Sequence, residues 1–128
     1  MRILYDSKQS LFKTPFGTLT PGQECTLNIH IPSTVRTTHV QLELLYQDHA
    51  PYRPYDFEFK MKKGAYDIFQ LKFSFPETGL YFYYFRIHNR DGSFCLYKQG
   101  DDTNMEAGDL WQVSCVPADF ETPDWAKG

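Results

Sequence analysis

The chain carries four histidines, His30, His39, His49 and His88, three cysteines and sixteen carboxylates, the groups an enzyme draws on for acid, base, metal or nucleophile chemistry. None stands at the spacing that chemistry needs. A serine nucleophile sits on a G-x-S-x-G elbow and a zinc pair on H-E-x-x-H, and neither pattern occurs. The histidines fall on separate segments with no His, Cys or Glu at ligand spacing, so each is expected at the surface. Asp102, Asn104 and Glu106 alternate as in a calcium loop. The loop's sixth position, which needs glycine, is Ala107, and the twelfth, which needs a bidentate Glu, is Val113. Glycosidic cleavage needs two carboxylates facing one bond, but these carboxylates lie in turns and on polar strand faces. No catalytic residue, metal or cofactor is expected.

What remains is aromatic chemistry. Two Trp, nine Tyr and eleven Phe are unusual in 128 residues. A sugar's flat C–H face lies on such rings while nearby amides, carboxylates or arginines take its hydroxyls. The candidates for carbohydrate binding or an interface are Phe82 and Tyr84 with Arg86, Tyr97, and Trp111 with Gln112. Trp111 shares parity with Val113 and Cys115, so core packing is the alternative for its ring.

The elements that must position these residues are strands. Turn formers recur at Pro15 and Gly17, Pro21-Gly22, Pro32-Ser33, Asp48 to Pro54, Lys63-Gly64, Pro76 to Gly79, Asn89 to Gly92 and Gly100 to Gly108. These intervals leave room for short strands and little else. Between them the pattern has period two. Cys25, Leu27, Ile29 and Ile31 should face a core; so should Val40, Leu42, Leu44 and Tyr46, and Phe69, Leu71, Phe73 and Phe75. Tyr55, Phe57, Phe59 and Met61 alternate with four charged residues and predict one strand over 55–62. Residues 39–47 could also form a short helix, but no cap stands at either end, and the strand is preferred. The fold class is all-β, an immunoglobulin-like sandwich of about seven to nine antiparallel strands.

Glu77-Thr78-Gly79-Leu80-Tyr81 has the spacing of an immunoglobulin-type tyrosine corner. That register turns Tyr81, Tyr83, Phe85 and Ile87 inward and Phe82, Tyr84, Arg86 and His88 outward. Exposed rings beside a cation mark a contact surface unless a loop or the N-terminal segment covers them.

The length suits one domain. Thirteen Lys and Arg against sixteen Asp and Glu give a net charge of −3 with no basic cluster, so nucleic acid is not an expected partner. The longest apolar run, Gly79 to Phe85, is seven residues, far short of a membrane span, and no secretory signal follows Met1. With Met1 native, the expected location is the cytoplasm. Cys25, Cys95 and Cys115 are odd in number and widely spaced, as for reduced thiols. Residues 1–117 read as the sandwich and 118–128 as a linker whose Phe120 and Trp125 would dock on a neighbouring domain.

In that linker, Thr122-Pro123-Asp124-Trp125-Ala126-Lys127-Gly128 resembles the junction before the catalytic barrel of bacterial α-amylase-family enzymes, glycoside hydrolase family 13, of the neopullulanase, cyclomaltodextrinase and maltogenic-amylase type. Leu11-Phe12-Lys13-Thr14-Pro15-Phe16-Gly17 is similar to the opening of their N-terminal module, Tyr81 to Phe85 to its aromatic strand, and Trp111-Gln112-Val113 to its closing strand. The resemblance implies an immunoglobulin-like module, related to starch-binding modules of family 34, fused in front of a (β/α)8 barrel that hydrolyses α-glucans. Such a module binds malto-oligosaccharide, packs on its own barrel, or helps form a homodimer. The catalytic carboxylates would lie beyond Gly128, and no sugar-binding triad of the family maps onto this chain. The function expected is that of a non-catalytic accessory module; the alternative is a free-standing carbohydrate-binding sandwich.

Overall fold

A computed structural model of the chain describes residues 2–117 apart from 16, 48, 49, 101 and 107, and only the backbone of 50–52 and 102. Ten strands follow in order: β1 (Lys13–Thr14), β2 (Glu24–Pro32), β3 (Thr37–Tyr46), β4 (Ala50–Asp56), β5 (Glu58–Lys63), β6 (Tyr66–Ser74), β7 (Gly79–Asn89), β8 (Gly92–Gln99), β9 (Asp102–Asn104) and β10 (Trp111–Cys115). Two of them, β1 and β9, have only two and three residues. One sheet has the order β1-β2-β6-β5; the other runs β4-β3-β7-β8-β9, with β10 beside β7, and all named pairings are antiparallel. This is an all-β sandwich. Among the described residues no helix is long and apolar enough to cross a membrane.

The period-two pattern positions the core. Leu27, Ile29 and Ile31 from β2 meet Val40, Leu42 and Leu44 from β3 across the interior, with Phe69, Leu71 and Phe73 from β6 and Tyr81, Tyr83, Phe85 and Ile87 from β7. The expected corner forms: the Tyr81 hydroxyl donates to the carbonyl of Glu77 at 2.7 Å. Gly79 precedes it at φ 142°, and a Cβ there would stand 2.7 Å from the Tyr46 ring. Glycine is therefore required for the close approach, beyond the freedom it gives the turn.

The expected single strand over 55–62 is instead divided. The chain leaves the six-stranded sheet after Asp56, buries Phe57, whose N–H donates to the Val40 carbonyl at 2.9 Å, and joins the other sheet at Glu58. Tyr55 and Phe57 face inward as their parity predicts, but Phe59 is 58% and Met61 49% exposed. The physical reason is position. β5 is an edge strand, so Phe59, opposite the core residue Phe69, has no further strand to cover it, and the register shift between Phe59 and Met61 brings Met61 opposite Ile68, on the other face.

The N-terminal segment contributes Ile3, Tyr5 and Phe12 to the core. Tyr5 lies edge-on to Phe85 (4.8 Å) and Trp111 (5.1 Å), and its hydroxyl meets that of Tyr83 at 2.7 Å. Burial raises both phenols well above their ordinary values.

Because each hydroxyl is the other's partner, Tyr83→Phe leaves the Tyr5 hydroxyl buried without it and should cost about 1–3 kcal/mol. Adding Tyr5→Phe should cost little more, so urea midpoints around the cycle should show clear coupling; additive losses would mean that the pair contributes nothing. A second expectation concerns pH. Burial pushes the Cys25 thiol from 9.0 up to about 11. Both folded and unfolded thiols are protonated below 9. Above it the unfolded chain ionises first, so stability is lost as pH rises through the folded value near 11. Urea midpoints should fall from pH 9 upward, less steeply in Cys25→Ala.

Candidate functional site

With Tyr81, Tyr83, Phe85 and Ile87 buried, the pleat forces Phe82, Tyr84, Arg86 and His88 onto the outer face of the six-stranded sheet, where all four are half-buried. Pairing sets their neighbours. Leu45, Glu43 and Gln41 of β3 stand opposite Phe82, Tyr84 and Arg86; Gln112 of β10 stands opposite Phe82 and Cys95 of β8 opposite Arg86. Tyr97, two residues beyond Cys95, stacks on Tyr84 with centroids 5.4 Å apart and planes at 24°. Burial, then the adjacent Cys95 thiol, raises the Tyr97 phenol above its usual range. The Arg86 Nε donates to Glu43 Oε1 at 3.4 Å.

Five of the residues singled out from sequence, Phe82, Tyr84, Arg86, Tyr97 and Gln112, are thus brought onto one face. The N-terminal segment turns Ile3, Tyr5 and Phe12 into the core and not over this face. Its Ser7 does reach one margin, where Phe82, Gln112, Lys98 and Asp109 share with it a cleft of about 500 Å³.

Trp111 does not belong to that surface. It is 2% exposed, stacks on Tyr83 at 5.8 Å and 17°, and meets Phe85 edge-on at 5.1 Å. Its parity with Val113 and Cys115 turns its ring inward, so no sugar can lie flat upon it. Phe120 and Trp125, the expected docking residues, lie outside the described residues, as does His49.

At the opposite margin lies a polar cluster that the spacing of its members in the chain does not announce. His39 and His88 are forty-nine positions apart in sequence, yet β3 and β7 bring their rings to 5.2 Å. The His39 Nε2 and the Gln41 amide both donate to Asp56 Oδ1, at 2.9 and 3.1 Å, and the His88 Nε2 donates to the Gln41 carbonyl at 3.0 Å. These bonds, His39's first, hold the Asp56 carboxyl below the usual carboxylate range. His30 is also not a plain surface residue: it is half-buried between Phe12 and Tyr66, and burial lowers its pKa. Among the described residues, no group of three or more His, Cys, Asp or Glu side chains could hold a metal ion.

No protein-family model matches the chain, and no curated protein matches it. Among solved structures it is similar to a cyclomaltodextrinase, with a TM-score of 0.63 and 17% identity. The two share a fold. The likeness covers 98% of this chain and 21% of the cyclomaltodextrinase, so the chain spans about a fifth of that enzyme's length.

Burial separates the two aromatic groups by experiment. Tyr84→Ala, on the open face, should change stability by less than about 1 kcal/mol, whereas Trp111→Ala should cost about 3–5 kcal/mol. Denaturation showing the reverse order would mean that the inward and outward faces are exchanged.

Proposed function

We propose that this chain is a non-catalytic β-sandwich module of an α-glucan-hydrolysing enzyme, acting through the outer face of its six-stranded sheet. That face would pack on the enzyme's own catalytic barrel or on a second copy, with Phe120 and Trp125 of the linker docking beside it. The observation that carries the reading is the likeness of nearly the whole chain to a fifth of a cyclomaltodextrinase. The make-up of the face supports it. Tyr, Phe and Arg are the residues enriched at protein interfaces, and here they stand together, half-buried.

Sugar contact is the lesser role in this reading. Tyr84 and Tyr97 each have one ring face taken up by the other. Phe82 and Gln112 at the marginal cleft are the better-placed pair for a malto-oligosaccharide: a ring for its C–H face and an amide for its hydroxyls.

The purified 128-residue chain should release no glucose or maltose from pullulan. Titrated calorimetrically with maltoheptaose, it should give only weak heat that does not saturate at millimolar concentration. A dissociation constant in the tens of micromolar, worth about 6–7 kcal/mol, would instead make it a carbohydrate-binding module in its own right. The encoding reading frame should continue past Gly128 into alternating strand and helix segments, and a stop codon there would overturn the reading of a fused module.

A further inference from the structure

Lys13 is the one lysine buried among the described residues, at 3% exposure, because β1 pairs it with Leu27 of β2 and turns its side chain inward. Its Nζ donates to the carbonyls of Pro15 at 2.9 Å and Gly17 at 3.4 Å. Among the described residues no carboxylate pairs with it; the ion pairs found there are His39 with Asp56 and Arg86 with Glu43. An ammonium has three donors, so one N–H is left without an acceptor among the described residues. Buried cations are ordinarily paired, since taking the charge from water otherwise costs several kcal/mol. Burial accordingly holds this amine below its usual pKa.

The lysine borders a cleft of about 330 Å³ at the edge of the sandwich, between the loop after β1 and strand β10. Ser7, Lys8, Thr18, Gln112 and Ser114 also line it. Among the described residues the lining offers hydroxyl and amide donors beside the Lys13 ammonium and no carboxylate, which is the chemistry that receives an anion. The volume falls at the small end of ligand pockets. We infer that this cleft is a binding site for a small oxyanion, a carboxylate or a phosphate, whose oxygen takes the remaining N–H of Lys13. The inference is independent of the contact role proposed for the sheet face.

The test compares thermal unfolding of the 128-residue chain in sodium phosphate, sodium acetate and sodium chloride at matched ionic strength. A bound anion stabilises by mass action, and a few degrees of added melting temperature are expected in phosphate, acetate or both. Which salt acts identifies the anion. Phosphate also stabilises proteins generally, by exclusion from their surface. Lys13→Met is the control: it keeps the aliphatic stem, removes the charge, and should abolish the site-specific increment. The same increment in Lys13→Met, or none in the unaltered chain, overturns the inference. A measurement without a variant guards against misfolding. Titrating phosphate and acetate into the isotope-labelled chain should shift the amides of Thr18, Gln112 and Ser114 saturably with at least one anion. Linear or scattered shifts with both would overturn the site.

Discussion

The hydroxyls of Tyr5 and Tyr83 meet 2.7 Å apart in the centre of the core, and the architecture on both sides depends on that contact. Two phenols can be buried together because each answers the other's polar group; either alone would carry an unsatisfied hydroxyl into apolar surroundings. The bond ties the N-terminal segment to β7, the strand that β3, β8 and β10 all pair with. Around it Phe85 and Trp111 close a ring cluster in which edge-on and stacked contacts each add about 0.5–1.5 kcal/mol beyond the area buried. With Tyr83 inside, its neighbours Phe82 and Tyr84 have no direction left but outward.

The two sheets present themselves to solvent differently. In the four-stranded sheet the edge strand β5 carries Lys60, Lys62 and Lys63 and a register shift, the devices by which proteins prevent an unpaired edge from recruiting another strand. Its exposed Phe59 leans on Phe69 at 5.6 Å. The six-stranded sheet instead offers a face. Its ion pair and histidine cluster are part-exposed, and such pairs add little stability. Their effect is to order the side chains of a half-buried surface.

Much of this was legible in the residues. Alternation over β2, β3 and β6 located the core, and Gly79 with Tyr81 specified the corner and with it which side of β7 faces out. Parity within one strand is a local property: successive side chains point oppositely whatever the rest of the chain does. Trp111 shows the same rule overriding a chemical preference. Its ring suits a sugar platform, but Val113 and Cys115 already marked that side of β10 as interior.

What alternation could not decide was which sheet a strand joins and what then lies opposite it. The run from Tyr55 to Met61 is periodic throughout, yet the chain changes sheets at Phe57: its first part pairs with the strand before it, β3, and its second with the strand after it, β6, and alternation reads the same whichever sheet a strand joins. The meeting of His39 with His88, the stacking of Tyr84 on Tyr97, the pairing of Tyr5 with Tyr83 and the burial of Lys13 arise in the same way. The sequence alone determined an all-β chain and the inner and outer side of its best-patterned strands. Tertiary pairing decided which of those sides met, because register between distant strands is set by hydrogen bonds and packing that no local pattern encodes.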